Sequence, residues 1–389
     1  YMGVRNCEIF LKNLEPFKGT IALNEFSHDS VWTKKAPWHR GEHSSYSPNG
    51  VALNDDDLIQ IKSSLNDHAF DPPVNYVKDA TRNVAIHNRF HPVKDYFNSL
   101  DKWDGVRRLS RFFPDYCSSE DTVYAQQIGV KMFTAIVARV MEPGIKFDYL
   151  PVFIGEQGMG KSTLVKTLAI HPSWYSECLG DIENKDVILT MRSKLLVEDP
   201  ELKSLFNSKK NQATVKSFLS RSVDRARLAF ERLTRDLPRQ GLIIGTMNPQ
   251  EFLHDESGNR RIWPIELKKI EDKRVREDLH KFYAEAIFLY EKGEALYMDN
   301  TEAEKLAEEK QEESFVKDEW EYEIINWINE ENKKSITSTE IWEDCMKRDK
   351  MHFDRKNQKR ISKIMQHMKW KRCTYRDEAT GSVRRGFCK

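Results

Sequence analysis

The chain of 389 residues lacks the marks of a membrane or secreted protein. No apolar run approaches the roughly 18 residues that a spanning helix needs, and residues 1–12 lack the basic-then-apolar order of a signal peptide. A cytoplasmic setting with no membrane partner is expected. Cysteine is sparse: Cys7, Cys117, Cys178, Cys345, Cys373 and Cys388 are scattered without Cys-x-x-Cys spacing. That pattern indicates neither a zinc cluster nor a disulfide framework, and reduced, structural thiols are expected. Internal repeats and low-complexity tracts are missing too. The chain opens Tyr1, Met2, Gly3 without an initiator Met, which leaves room for an upstream domain.

Net charge is also nearly absent, at +1, but that value hides local bias. Residues 351–389 hold twelve Lys or Arg against three Asp or Glu, whereas residues 301–323 hold ten acids and three lysines. The basic tail is where a polyanion would bind, and the acidic stretch marks a boundary. With 39% hydrophobic and 32% charged residues the composition is that of a globular protein, long enough for two or three domains. We read residues 1–115 as an N-terminal accessory or collar domain, mixed α/β or helical. Residues 116–300 read as the catalytic core, 301–319 as an acidic linker helix, and 320–389 as a C-terminal domain.

Local signals fill in this plan. Asn54, Asp55, Asp56 and Asp57 precede Leu58, Ile61 and Leu65, as at the capped start of an amphipathic helix. Over residues 122–141, Ile128, Met132, Ile136 and Val140 share one helical stripe. Strand-like runs at 149–154, 194–197 and 242–246 then alternate with helical segments, which implies an α/β domain with a largely parallel sheet. The end of the chain reads as helices at 323–331, 338–347 and 356–368, followed by a hairpin over 370–387 turning at Gly381. Three short helices and a hairpin are a winged-helix layout. Ile324, Ile325, Ile328, Ile341, Trp342, Ile361, Ile364 and Met368 are its expected core.

The strongest motif runs Gly155, Glu156, Gln157, Gly158, Met159, Gly160, Lys161, Ser162, with Thr163 opening the next helix. It is a complete P-loop pattern set between an apolar strand and a helix. Glycines let backbone N–H groups wrap phosphates, the helix start adds positive potential, Lys161 reaches the terminal phosphates, and Ser162 can hold Mg²⁺. ATP and Mg²⁺ are the expected cofactors. The next apolar strand ends in the run from Leu195 to Glu201, which puts Glu198, Asp199 and Glu201 at its C-terminal tip, and it looks like a Walker B strand. One carboxylate binds Mg²⁺ through water and another polarises the attacking water; Glu198 is the first choice for the metal, with Asp199 and Glu201 close behind. Asn248 follows the third strand, between the other two motifs, in the position of a sensor for γ-phosphate. Arg260 and Arg261 follow a Gly-Asn turn; they read as an arginine finger reaching a neighbour's nucleotide, or as plain surface charge.

Taken together, the P-loop, the Walker B acids, the run Thr246, Met247, Asn248 and the run from Gly258 to Pro264 resemble the virulence-associated E family and the wider superfamily 3 helicases. Upstream, the runs from Asn88 to Tyr96, from Trp103 to Val106 and from Lys146 to Tyr149 resemble the same family's lead-in. The likeness covers residues 88–267. It implies a P-loop AAA+-like ATPase core that forms a homo-oligomer, a hexamer, and moves on single-stranded DNA in phage or mobile-element replication within a bacterial cell. A primase partner is also implied. One departure stands out: Asp199 and Pro200 lie where relatives carry a hydrophobic residue between the acids, which leaves Glu198 and Glu201 as alternatives for the catalytic glutamate. The family's channel hairpin, which grips the DNA backbone, would fall in residues 222–240; the resemblance implies phosphate contact by Arg225, Arg227, Arg232, Arg235 and Arg239, with Glu231 and Arg232 at its tip, the alternative being a solvated helix face or simple salt bridging.

In the tail, Lys356, Lys359, Arg360 and Lys363 share a helix face, and Lys371, Arg372, Arg376, Arg384 and Arg385 fall on the wing. This is how winged-helix domains meet duplex DNA, here an origin; the same layout also serves protein docking. The functional reading is an ATP-dependent DNA helicase. Its rivals are a DNA-stimulated ATPase that loads or remodels partners without unwinding, and an origin-binding initiator for which ATP is an assembly switch.

Overall fold

A computed structural model describes residues 3–39, 47–184, 186–206, 212–227, 233–249, 261–299, 303, 305–306, 319–331, 333–368, 370–376 and 381–389. The chain forms two compact units, Tyr1–Ser314 and Phe315–Lys389.

The first unit opens with α1 (Val4–Asn13), β1 (Ile21–Asn24), β2 (Ser30–Trp32), β3 (Val51–Ala52), α2 (Asp55–Asn66), α3 (Val74–His87) and β4 (Arg89–Phe90). The strands lie in the order β3-β2-β1-β4, with only β1 and β4 parallel. Asn54 caps α2 as its sequence predicts: its side chain accepts from Asp57 N, and the Asp57 carboxylate accepts from Asn54 N. Two donors that a helix start leaves orphaned are thereby satisfied. Phe17, Ile21 and Trp32 anchor a small core beneath these helices.

Three helices, α4 (Pro92–Ser99), α5 (Phe112–Cys117) and α6 (Val123–Met141), lead into the larger layer. The stripe Ile128, Met132, Ile136, Val140 has no exposed surface. On the same helix, Gly129 admits the Leu109 carbonyl so closely that a Cβ would stand 2.1 Å from its oxygen.

There follow β5 (Leu150–Ile154), α7 (Lys161–Leu168), β6 (Tyr175–Ser176), α8 (Asp186–Met191), β7 (Leu196–Pro200), α9 (Lys203–Phe206), α10 (Gln212–Leu219), β8 (Val223–Ala226), β9 (Arg235–Pro238), β10 (Leu242–Met247), β11 (Ile262–Glu266) and α11 (Asp272–Glu291). Five of the strands form one all-parallel sheet, β11-β5-β10-β7-β6. The fold is thus mixed α/β around a parallel sheet. Such sheets are covered on both faces, and all six residues of β10 are buried. Because β10 inserts between β5 and β7, their C-terminal ends flank a crevice at the point where strand order reverses. The second of these strands is displaced from its expected range of 194–197 to Leu196–Pro200. Glu198 and Asp199 therefore lie inside the strand rather than at its tip, because both carboxylates find buried donors.

β8 and β9 form a separate antiparallel hairpin. Here the reading of Arg239 as a phosphate contact is corrected. Its guanidinium is buried, donates to both oxygens of Asp224 at 2.6 and 3.1 Å, and lies 4.5 Å from the Phe218 ring centroid. It fastens the hairpin to α10.

The second unit comprises α12 (Glu319–Glu330), β12 (Ser335–Ile336), α13 (Ser338–Glu340) continued by a π-helical turn (Ile341–Cys345), α14 (Arg355–His367), β13 (Lys371–Arg376) and β14 (Val383–Cys388). Its sheet has the order β12-β14-β13, all antiparallel. Ile324, Ile328, Ile341, Trp342, Ile361 and Ile364 form the core with Phe387, and Met368 packs against it. The expectation of reduced thiols throughout is corrected at one pair: Cys373 and Cys388 are joined by a disulfide, with Cα atoms 5.9 Å apart. Their register explains it. Cys373 is opposite Gly386, two residues before Cys388, a separation that sequence spacing does not disclose without the turn length. Among the described residues no helix is long and apolar enough to cross a membrane.

The buried pair of Asp224 and Arg239, each with 4% side-chain exposure, predicts a large cost for breaking it. Arg239→Ala should lose about 3–5 kcal/mol in urea denaturation because Asp224 would be left buried and unpaired. A loss under about 1 kcal/mol would show the pair to behave as a solvated one.

Candidate phosphate-binding site

Residues 155–162 join the end of β5 to the start of α7, at the crevice. Two glycines give the loop its shape. Gly158 and Gly160 hold φ of 81° and 96°, a region other residues rarely adopt, while a Cβ at either would meet nothing within 4 Å. Gly155 is needed for space instead: a Cβ there would stand 2.8 Å from Met159 Sδ and 3.0 Å from the Leu267 carbonyl oxygen. Gly160 is also the N-cap of α7, so the first N–H groups of that helix open beside the loop.

Lys161 turns back into the loop. Its Nζ donates to the Gly155 carbonyl at 2.5 Å, to the Glu156 carbonyl at 2.9 Å and to Asn248 Oδ1 at 3.2 Å. Asn248, just past β10, and the lysine therefore meet across the crevice. Gln157, Met159, Ser162 and Thr163 complete the loop and first helical turn, with Ser162 and Thr163 exposed on their surface.

Strand alternation separates the two adjacent acids. Side chains along a strand point to opposite faces, and Glu198 and Asp199 accordingly meet different partners. Glu198 faces α7. With no exposed surface, it accepts from Ser162 Oγ at 2.7 Å and from Thr246 Oγ1 at 2.5 Å on Oε1, and from the Tyr175 hydroxyl on Oε2. Asp199, equally buried, accepts from the backbone N–H groups of Ser204 and Leu205 at 3.0 Å each and so holds the start of α9. Glu201 lies beyond the strand at φ 54° with its carboxylate on Lys203. Of the three acids read from the sequence, the structure brings Glu198 to the loop. Tyr175 was missed; the signal that could have found it is its place in a strand edging the sheet beside β7.

Arg261 sits elsewhere. It precedes β11, whose Ile262 is in register with Leu150, and its Nε lies 3.6 Å from Asp148 Oδ2. That is the N-terminal end of the sheet, about 16 Å of strand away from residues 155–162 at about 3.3 Å per residue. Arg260 lies outside the described residues.

The basic groups outside the crevice divide similarly. On the β8–β9 hairpin, Arg225 is exposed and 3.7 Å from Asp236, Arg227 is exposed and Arg235 half-buried, while Glu231 and Arg232 lie outside the described residues. In the second unit, Arg384 donates to Glu340 Oε1 at 2.7 Å, and the Arg360 guanidinium lies 3.7 Å from the Trp320 ring centroid. Arg355, Lys359, Arg372 and Arg385 line a cleft of about 560 Å³ between α14 and the hairpin, and Lys371 is exposed. Nothing is described for the side chains of Lys356 and Lys363.

A family model for the virulence-associated protein E-like domain matches residues 97–316, more than half of the chain. The chain belongs to that family. The matched span contains the loop, Glu198, Asn248 and Arg261. No curated protein matches the chain. Among solved structures, it is similar to the A-form apo structure of the NrS-1 C terminal region, with a TM-score of 0.46 and 13% identity over 75% of this chain and 77% of that one. A second apo structure of the same region gives 0.45 and 14% over 75% and 78%.

The division of labour between the acids is open to measurement. Asp199→Ala should cost about 1–3 kcal/mol in urea denaturation, because two backbone donors lose their acceptor. Glu201→Ala should stay within about 0.5 kcal/mol as an exposed change. Equal effects would contradict this placement.

Proposed function

We propose that this member of the virulence-associated protein E-like family is an ATP hydrolase that drives a DNA helicase in phage or mobile-element replication. The observation that carries the reading is the convergence of Lys161, Ser162, Glu198 and Asn248 on one glycine-rich loop at the C-terminal edge of the parallel sheet. The donor set fits a Mg²⁺-bound triphosphate: a lysine amine inside the loop, a helix N-terminus beside it, and a hydroxyl paired with a buried carboxylate. Lys161 would neutralise charge on the transferring phosphate. Ser162 and Glu198 would hold the metal, and Glu198 and Asn248 would orient water and γ-phosphate. Mg²⁺ supplies charge neutralisation across the phosphates.

On this reading the loop is a P-loop in an AAA+-like core, and the second unit is a winged helix for duplex origin DNA, using Lys371, Arg372 and Arg385, while Arg384 is held by Glu340. Arg225, Arg227, Arg232 and Arg235 would grip single-stranded DNA in the channel of a homo-oligomeric ring, a hexamer, with a primase as partner. The distance of Arg261 from its own loop excludes a role there, so any phosphate site it serves lies on a neighbouring copy.

Lys161→Ala should lower ATP turnover by about 100-fold or more with the fold intact, since it removes charge and no core packing. Undiminished turnover in a steady-state phosphate-release assay would sink the hydrolase reading. DNA-stimulated turnover without strand displacement would instead indicate a loader or remodeller.

The ring has its own test. Arg260→Ala and Arg261→Ala should each keep nucleotide binding, and the one that acts in trans should slow hydrolysis roughly 10³-fold or more. Mixing that variant with Lys161→Ala should restore part of the activity at interfaces pairing an intact loop with an intact arginine. If co-assembly is demonstrated and no activity returns, the arginine acts within its own subunit or only structurally.

A further inference from the structure

Trp174 ends a 3-10 turn (Pro172–Trp174) and Tyr175 opens β6, and the two consecutive side chains make their contacts in different directions. Trp174 turns to the N-terminal layer. Its Nε1 donates to Asn49 Oδ1 at 2.7 Å, and its buried ring meets Phe26 edge-on with centroids 6.5 Å apart. Asn49 is itself held: its Nδ2 donates to Ser173 Oγ at 3.0 Å, and its carbonyl accepts from Asn24 Nδ2 at 3.0 Å. Asn24 is buried at the end of β1, so the small four-stranded sheet fixes the position of Asn49.

Tyr175 turns the other way and donates its hydroxyl to Glu198 Oε2. The opposite oxygen of Glu198 is taken by Ser162 and Thr246, which belong to the loop helix and the central strand. A carboxylate held on one oxygen alone can still swing about that point; a donor on the second oxygen fixes its plane. One dipeptide thus connects the N-terminal sheet to the orientation of the buried acid through two hydrogen bonds.

We propose that Tyr175 is a positioning residue that sets the Glu198 carboxylate for hydrolysis, and that the N-terminal layer controls it through the bond between Asn49 and Trp174. This rests on the hydrolase reading above. The layer is then a control input to hydrolysis: whatever displaces Asn49 changes turnover without touching the nucleotide.

The test uses the full chain and steady-state ATP hydrolysis. Tyr175→Phe keeps the ring and removes the donor; kcat should fall roughly 10- to 100-fold with KM nearly unchanged. Asn49→Ala should lower kcat by a smaller factor, about 3- to 10-fold, again without raising KM. Asn49→Asp, which keeps an acceptor for the indole N–H, should restore it. In the double variant Tyr175→Phe, Asn49→Ala the two losses should not multiply, because both cut one link. Where the parent chain hydrolyses ATP, an unchanged kcat in Tyr175→Phe overturns the proposal and leaves the hydrolase reading standing. Losses that multiply, or an Asn49→Asp chain as slow as Asn49→Ala, overturn it as well. A parent chain that does not hydrolyse ATP overturns the hydrolase reading and this proposal together.

Discussion

Burying a carboxylate costs several kcal/mol unless donors meet its lone pairs, and for Glu198 those donors come from three separate elements. Ser162 stands on α7, Thr246 on β10 and Tyr175 on β6. The acid can be buried only when the loop helix, the central strand and the edge strand are all in place, so this one group couples the local structure of the loop to the assembly of the sheet. The close packing nearby follows the same demand. At Gly245, one residue before Thr246, a Cβ would stand 2.4 Å from Leu202 Cδ2, so the Leu202 side chain packs over the strand in the space that the glycine leaves.

The parallel sheet then imposes a polarity on everything that carries charge. Its C-terminal edge gathers Lys161, Ser162 and Asn248, and its N-terminal edge holds Arg261 against Asp148. No side chain spans a five-residue strand, so groups at opposite edges cannot share a ligand within one copy. A reaction that used both ends would require two copies with the front of one against the back of the next. That requirement comes from strand direction alone and is independent of what the loop binds.

Much of this was legible in the sequence because it depended on local pattern. The capped start at Asn54, the stripe on α6 and the three apolar strands each announce themselves within a dozen or so residues. The glycine-rich loop did too, since conformational freedom and spacing are written in the residue types themselves. Features that depended on register were not legible. Glu198, Asp199 and Glu201 look equivalent as a string, but where the strand ends decides which of them lie inside it, and the pleat then sends Glu198 and Asp199 to opposite faces. Tyr175 carried no signal until β6 was seen beside β7, and Cys373 met Cys388 only through the length of a turn. Arg239 read as one more cation in a basic segment, whereas tertiary packing gave it a buried partner in Asp224.

The second unit extends that lesson to charge. Its tail is strongly basic by count, yet net charge overstates the surface offered to a polyanion, because arginine is also a packing residue with a broad apolar plane. The Arg348 guanidinium lies 4.7 Å from the Trp320 ring centroid and 5.2 Å from that of Trp342, Arg360 stacks closer still, and Arg384 is taken by Glu340. These three stabilise the fold. Two of the cations that line the cleft beside α14, Arg372 and Arg385, sit on the cross-strand face they share with Thr374 and Phe387, where Phe387 enters the core and the longer side chains reach outward at its rim. The alternation that buries Phe387 is therefore what presents Arg372 and Arg385, so a one-residue slip of the hairpin would lose the core contact and the basic cleft together.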